Sequence, residues 1–288
     1  MVMKLLKTQT ERELVIERIM YTKHYSLALD KERCVGCEIC QTVCPREAIK
    51  VAKPTRTEVG ELKRPTTTID ETKCQFCGIC NAICPFGALM LRINGENTVP
   101  VLEKESFPQL IREIEVESSR CPTDCRECEK ACPFNLIKVS VDNAKEGVQV
   151  NIDKEYCPTC RLCEVKCPYE ALSVRKIILG TIRINREKCP ENCRDCVDVC
   201  PVPGVLYVAD DGKVDINDYC CIYCGVCRIA CPVEGALEIE RGSIYHASVH
   251  SGAWNKALEK LTSTKDMAKE LRTRLTLKAR ESVKRRFS

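Results

Sequence analysis

Twenty-four of the 25 cysteines in this 288-residue chain fall into six short segments of one pattern. Four segments read Cys-x2-Cys-x2-Cys-x3-Cys-Pro, and the third and fifth have one more residue between their first two cysteines. Such self-similarity is typical of one structural unit copied several times. The cysteines of the six motifs, in order, are Cys34, Cys37, Cys40 and Cys44; Cys74, Cys77, Cys80 and Cys84; Cys121, Cys125, Cys128 and Cys132; Cys157, Cys160, Cys163 and Cys167; Cys189, Cys193, Cys196 and Cys200; and Cys221, Cys224, Cys227 and Cys231.

Three closely spaced cysteines followed by a fourth and a proline are the pattern that holds iron–sulfur cubanes. The sequence therefore predicts six [4Fe–4S] clusters bound by these 24 cysteines. A zinc ribbon would instead close one tetrahedral site with two Cys-x2-Cys pairs, and it lacks the third cysteine at this spacing. A disulfide scaffold would require an oxidising compartment.

The first 25 residues alternate charged and apolar side chains and contain no continuous apolar stretch of a secretory signal. No apolar run in the sequence approaches the ~20 residues of a membrane span. We therefore expect a cytoplasmic protein without a membrane span, whose thiols stay reduced and free to bind iron. Aromatic residues make up only 5% of the chain, so we expect the clusters to supply much of the order.

The formal charge of +4 treats every cysteine as neutral. A [4Fe–4S] core with four thiolates carries about −2, so six clusters would make the chain strongly acidic. Residues 254–288 are the exception, with 11 Lys or Arg and 4 Asp or Glu. An acidic body with a basic tail favours protein partners over nucleic acid.

The motifs resemble those of bacterial-type two-cluster ferredoxins, repeated as in the archaeal polyferredoxins, over residues 25–242. The resemblance implies an α+β fold of tandem 2[4Fe–4S] domains, that is, three pseudo-twofold units. It also implies that the fourth cysteine of a motif binds the cluster of its neighbour. One cluster would then take Cys34, Cys37, Cys40 and Cys84, and the next would take Cys74, Cys77, Cys80 and Cys44, with the same crossing in the later motifs.

We expect an N-terminal extension at 1–24, ferredoxin units at 25–94, 111–179 and 180–242, a linker helix at 95–110 and a tail at 243–288. Helices are predicted over Leu5–Met20, Glu103–Glu113 and Trp254–Phe287, and a short helix is predicted to open at the fourth cysteine of each motif. Short strands are predicted before each motif from their alternating pattern. A nested pairing of the motifs, second with third, fourth with fifth and first with sixth, stays open.

Residues 244–254 are similar to a segment of the polyferredoxin F subunit of methanogen formylmethanofuran dehydrogenase. This likeness implies an electron-transfer subunit of an anaerobic archaeal oxidoreductase complex, with no catalytic site of its own. Its partners would be catalytic and electron-donating subunits, and the amphipathic tail would dock on one of them. The alternatives are a polyferredoxin of a hydrogenase or heterodisulfide reductase complex, and a self-contained iron–sulfur oxidoreductase.

Two features fall outside the repeat. Cys220 precedes the last motif and is expected to be a small buried residue rather than a ligand. His246 and His250 have the four-residue spacing of metal ligands on a helix but no third ligand nearby, so we expect hydrogen-bonding roles.

Overall fold

The computed structural model describes residues 3–57, 62–142, 147–248 and 260–262. Three units follow one another along the chain, and each contains two motifs, two short helices and two antiparallel strand pairs. In each unit the strand before the first motif pairs with the strand after the second, and the two inner strands pair with each other. This pattern gives each unit a pseudo-twofold arrangement.

The first unit carries the largest sheet. Its elements are β1 (Lys4–Gln9), β2 (Glu13–Ile19), β3 (His24–Asp30), α1 (Ile39–Val43), β4 (Ile49–Val51), β5 (Thr67–Ile69), α2 (Ile79–Ile83), β6 (Leu89–Ile93) and β7 (Glu96–Asn97), and the short helix α3 (Pro100–Glu103) follows. The order β1-β2-β3-β6-β7 forms one sheet, while β4 and β5 form a second.

The second unit consists of β8 (Ile114–Val116), α4 (Glu127–Ala131), β9 (Ile137–Asp142), β10 (Gly147–Ile152), α5 (Leu162–Val165) and β11 (Leu172–Val174). The third consists of β12 (Ile178–Ile184), α6 (Asp195–Asp198), β13 (Leu206–Val208), β14 (Val214–Ile216), α7 (Val226–Ala230) and β15 (Leu237–Ile244). Single 3-10 turns precede the third, fourth and sixth motifs, at Ser118–Arg120, Lys154–Tyr156 and Asp218–Cys220.

The helix predicted over Leu5–Met20 is wrong, because this segment forms the hairpin of β1 and β2. Leu14 and Ile16 are both fully buried, a period of two that suits a strand with one covered face. The backbone N–H of Glu13 donates to the Thr10 hydroxyl at 3.0 Å and helps to close the turn. Pairing of β2 with β3 then outweighs the helical spacing in the sequence.

The linker helix predicted at 95–110 is also wrong over most of its length, and so is the helix predicted over Glu103–Glu113. Only Pro100–Glu103 is helical. Pro108 cannot donate a backbone hydrogen bond and disfavours helical geometry at the preceding residue. Phe107 and Leu110 are buried instead, and Leu110 forms an isolated β-bridge with His246.

The short motif helices end near the fourth cysteine rather than beginning there. A residue before proline is restricted to extended conformations, so the helix cannot pass through a Cys-Pro pair. Four of these cysteines directly cap a helix in extended geometry, with ψ values between 109° and 121°: Cys44, Cys84, Cys132 and Cys231.

The extra residue in the third and fifth motifs changes the loop that leads into the helix. In the four shorter motifs the residue before the helix is left-handed, with φ between 59° and 92°: Glu38, Gly78, Arg161 and Gly225. The corresponding residues of the longer motifs have ordinary negative φ, −134° at Arg126 and −132° at Arg194. The longer loop therefore reaches its helix without a left-handed residue at this position.

The expected boundary between 111–179 and 180–242 falls inside a strand. β12 begins at Ile178 and bulges between Leu179 and Gly180, while its partner β15 continues to Ile244. A Cβ atom at Gly180 would lie 2.2 Å from the Glu240 carbonyl oxygen, so this close approach requires glycine. The division into ferredoxin units remains a prediction, and the pairing favours a boundary before Ile178.

Aliphatic side chains and cysteines form most of the core. One buried cluster joins the first and third units, and a smaller one in the second contains Cys128, Ile137 and Leu172. Of the predicted helix over Trp254–Phe287, only residues 260–262 are described; they are helical, and Leu261 belongs to the larger cluster. The rest of that helix lies outside the described residues.

Leu14→Ala tests the N-terminal hairpin as part of the folded body. Removing this fully buried side chain is expected to cost about 2–5 kcal/mol of stability and to lower the urea midpoint. Circular dichroism of the anaerobic, iron-loaded protein measures it. The matched control is Leu179→Ala, since Leu179 also lies on a strand but is 53% exposed. Equal midpoints for the two variants would contradict a packed hairpin.

Candidate iron–sulfur sites

Four cavities in the described part of the chain are each lined by four cysteines. Three cysteines come from one motif, and the fourth comes from the other motif of the same unit. We number the groups by the motif that supplies three: set 1 is Cys34, Cys37, Cys40 and Cys84; set 2 is Cys74, Cys77, Cys80 and Cys44; set 3 is Cys121, Cys125, Cys128 and Cys167; and set 6 is Cys221, Cys224, Cys227 and Cys200.

The remaining eight cysteines gather in the same way, as their mutual electrostatic effects show. Burial raises the pKa of Cys163 and Cys196 most, and nearby thiolates add to the shift: those of Cys160, Cys157 and Cys132 at Cys163, and those of Cys231, Cys193 and Cys189 at Cys196. With the crossing seen in the four cavities, we take set 4 as Cys157, Cys160, Cys163 and Cys132, and set 5 as Cys189, Cys193, Cys196 and Cys231.

The paired helices of each unit explain this crossing. α1 lies against α2, α4 against α5, and α6 against α7. A cysteine at or just beyond the end of one helix thus reaches the loop that precedes the other. Cys44 lies with Cys74, Cys77 and Cys80, an arrangement that agrees with sequential pairing of the motifs and not with nesting.

Backbone N–H groups point at several of the sulfurs. In the first four motifs the fourth cysteine accepts from the residue four positions later, at 3.3–3.4 Å: Ala48, Ala88, Leu136 and Ala171. Phe76 and Tyr223 donate in the same way to Cys74 and Cys221. Such donors stabilise a thiolate, which is the form that binds iron.

The last two motifs have one more residue after their proline, and the contact changes. Cys200 Sγ lies 3.3 Å from the Val202 carbonyl oxygen, and Cys231 Sγ lies 3.3 Å from that of Val233. Burial raises the pKa of Cys200 to about 11 and also raises that of Cys231, and the backbone groups of Val202 and Val233 partly oppose these shifts. In these two motifs the fourth cysteine thus contacts the backbone of the turn that directly follows it.

Burial raises the pKa of many of these thiols, and neighbouring thiolates add to the effect. The pKa of Cys160, Cys163 and Cys196 reaches about 12. At neutral pH these thiols keep their protons until a cation compensates the charge. Iron binding would therefore release protons from the site.

The four-thiol sets fit a [4Fe–4S] cluster in number, element and surroundings. Apart from cysteine, apolar side chains form most of each lining, as Leu27, Ile79 and Leu91 do at set 2. Across the described ranges, no three His, Cys, Asp or Glu side chains are grouped as a single metal ion requires. The thiols surround a cavity instead, which favours a multi-iron cluster over the zinc alternative.

Arginines outside the motifs hold the cysteine loops by their carbonyl groups, and sequence analysis missed them. Arg18 donates to the Cys74 carbonyl at 2.6 Å, and Arg241 donates to that of Cys224 at 2.6 Å. Arg112 donates to the Cys157 carbonyl at 3.0 Å and the Cys84 carbonyl at 3.3 Å. They lie on β2 (Arg18), on β15 (Arg241) and before β8 (Arg112), all outside the repeated motifs. The repeat therefore gives no signal for them.

Cys220 is buried and belongs to none of the six sets. The ring of His246 contacts the carbonyl of Ala247, and His250 lies outside the described residues.

In the part of the chain that the structure describes, helices are too short or too polar to cross a bilayer.

Comparison with known families matches residues 33–88 and 120–171 to the 4Fe-4S dicluster domain. Each matched stretch contains both motifs of one unit. Formate hydrogenlyase subunit 2 of Escherichia coli (strain K12) and that of Shigella flexneri are each 41% identical to the chain over 58 residues. This alignment covers 18% of the chain and spans only 27% of the length of these relatives.

A solved structure extends the likeness to nearly the whole chain. It is a chain of the formate dehydrogenase–heterodisulfide reductase–formylmethanofuran dehydrogenase complex from Methanospirillum hungatei, with a TM-score of 0.79 and 32% identity. The match covers 90% of this chain and 91% of that one. The repeated motifs, the dicluster matches and this long structural alignment agree, and the chain belongs to the 4Fe–4S dicluster ferredoxin family as a polyferredoxin of tandem dicluster units.

Proposed function

We propose that this chain is a six-cluster electron-transfer subunit that carries electrons between redox partners in an anaerobic oxidoreductase complex. The observation that supports this most is the gathering of 24 cysteines into six four-thiol sets within contacting units. We assign the cysteines of sets 1–6 as the iron ligands. Bound clusters would supply one-electron chemistry, while the protein holds them in place and excludes water.

We further propose the formylmethanofuran dehydrogenase complex as its assembly. The structural relative comes from a complex named in part for that enzyme, and residues 244–254 resemble its F subunit. The complex is also named for heterodisulfide reductase, and the curated relatives belong to formate hydrogenlyase. A polyferredoxin of a hydrogenase or heterodisulfide reductase complex is therefore the second candidate.

A self-contained oxidoreductase is less well supported. Such an enzyme would need an iron with an open coordination position or another reactive group. Each set instead supplies four thiols, one for every iron of a cubane. We therefore propose no catalytic activity for the chain alone, and we place it in the cytoplasm, where thiols stay reduced.

The basic tail at 243–288 is our proposed contact with a partner subunit. Leu261 packs into the core of the body, so the tail is first anchored on its own chain. Beyond it, residues 263–288 carry nine Lys or Arg and three Asp or Glu. An acidic partner surface would attract this segment, with a strength that falls as salt increases.

Paired cysteine variants test the ligand assignment by iron content. Loaded protein should contain about 24 iron, and loss of one cluster should remove about four. Cys84→Ala alone and Cys34→Ala/Cys84→Ala should each lose about four iron, because both cysteines belong to set 1. Cys74→Ala/Cys84→Ala should lose about eight, because two sets are damaged. Iron and sulfide analysis after anaerobic reconstitution measures these losses.

Cys220→Ala is the matched control and should keep all its iron, since Cys220 lies outside the sets. If each cluster instead took all four cysteines of one motif, Cys34→Ala/Cys84→Ala would lose about eight iron and Cys74→Ala/Cys84→Ala about four. An additive loss for Cys34→Ala/Cys84→Ala with no extra loss for Cys74→Ala/Cys84→Ala would contradict the assignment. Zinc in place of iron would contradict the proposed function itself.

Deletion of residues 263–288 tests the subunit role while keeping Leu261 in place. We expect unchanged iron but loss of the catalytic subunits from the anaerobically purified complex. Co-elution by size-exclusion chromatography measures this. The control is Leu261→Ala in the full chain, which should weaken the body but keep its partners. Unchanged co-elution of the truncated chain would move the docking surface to the ferredoxin units.

A further inference from the structure

One arginine joins the first unit to the second. The guanidinium of Arg112 donates to the carbonyls of Cys84 and Pro85 next to set 1 and to the carbonyl of Cys157 in set 4. Burial lowers the Arg112 pKa, while thiolates at Cys84 and Cys157 oppose the shift. A guanidinium keeps its proton in proteins, so a fixed positive charge lies between sets 1 and 4.

A second arginine joins the first unit to the third. Arg241 donates to the carbonyls of Tyr223 and Cys224 in set 6 at 2.9 and 2.6 Å. A Cβ atom at Gly225 would lie 2.9 Å from Arg241 Nη2 and 3.9 Å from the Cys37 carbonyl oxygen of set 1. The cation therefore lies beside both sets.

The same interface contains a further ion pair, between Arg228 and Glu38 at 3.0 Å. Glu38 directly follows Cys37, and Arg228 directly follows Cys227, so this pair also links the loops of sets 1 and 6. Its opposite charges compensate each other. Arg241 donates its hydrogen bonds to neutral carbonyls, and the charges of Arg228 and Glu38 act on it in opposite directions.

Arg18 provides a comparison within one unit. It donates to the Cys74 carbonyl in set 2. Its hydrogen bond thus has the same form as those of Arg112 and Arg241. The difference is that Arg18 donates to the loop of one set. Arg112 donates to the loops of two sets, and Arg241 donates to the loop of set 6 and lies near Cys37 of set 1.

These contacts have an electrostatic consequence once the sets are loaded. A four-thiolate cluster carries about −2, and each added electron makes it more negative, so adjacent clusters repel one another's electrons. A cation within a few ångströms of two clusters stabilises an added electron on either. Set 1 is the set shared by the two interface arginines, since Arg112 donates to Cys84 and Arg241 lies near Cys37.

We propose that Arg112 and Arg241 act as shared cationic bridges that make the cluster of set 1 the electron hub between the three units. This inference rests on the proposed function, because it requires loaded sets. In each transfer one cluster is oxidised by one electron and its neighbour is reduced by one, with no bond formed and no proton moved. A low-potential one-electron donor supplies the electron. Arg112 and Arg241 are positioning residues that set the potentials of neighbouring clusters.

The test is an anaerobic redox titration with dithionite, in which EPR spin integration resolves the one-electron components. Arg112→Gln should move two components to more negative potential, those of sets 1 and 4. Arg241→Gln should also move two, those of sets 1 and 6. The double variant should move three rather than four, because set 1 is shared, and one of the three should move furthest. Arg18→Gln, the matched control, should move one.

Arg241→Lys separates charge from geometry. Lysine keeps the charge but loses the paired hydrogen bonds, so its potentials should stay near those of the unchanged protein. Equal shifts for Arg241→Lys and Arg241→Gln would overturn the proposal, as would four moved components in the double variant or none. Chemical iron analysis distinguishes a failure of the bridge proposal from a failure of the proposed function. Absence of iron from the unchanged protein would refute the proposed function, whereas full iron without shifts would refute only the bridges.

Discussion

The arrangement of this protein depends on the Cys-Pro pair that closes each motif. Proline forces the preceding cysteine into extended geometry, so a motif helix ends there, and the thiol is presented to the neighbouring motif. At Cys44 and Cys84 this exchange is reciprocal, and it joins two loops into one unit. The two strand pairs of a unit follow from this exchange, because it brings the beginning and end of each motif beside the other motif of the unit.

Thiol chemistry links this geometry to stability. Raised pKa values keep buried cysteines such as Cys160 and Cys196 protonated until iron arrives, so iron binding and ordering of the loops are coupled. The aliphatic core of the first unit, including Leu14 and Ile16, is substantial despite the low aromatic content. Clusters and apolar packing would therefore share the stabilisation, with the second unit relying most on its clusters because its separate core is small.

The motif spacing predicted the repeated unit, and the family resemblance that the motifs carry implied the α+β class. It could not predict elements whose conformation depends on distant partners. Leu5–Met20 has apolar spacing that suits a helix, but the free edge of β3 makes it a hairpin. Pro108 is a local signal against the linker helix. Arg112 and Arg241 carry no motif at all, because their role arises from carbonyl groups that only the folded chain brings together.

We infer that six crossed four-thiol sets lie in three contacting units, with set 1 between sets 4 and 6. Diffraction from anaerobic crystals of the iron-loaded chain, measured at the iron absorption edge, tests it directly. We expect six separate four-iron peaks, with Cys84 and Cys44 bound to exchanged clusters and the set 1 peak adjacent to those of sets 4 and 6. Peaks bound by uncrossed motifs, or a set 1 peak remote from both neighbouring units, would contradict it.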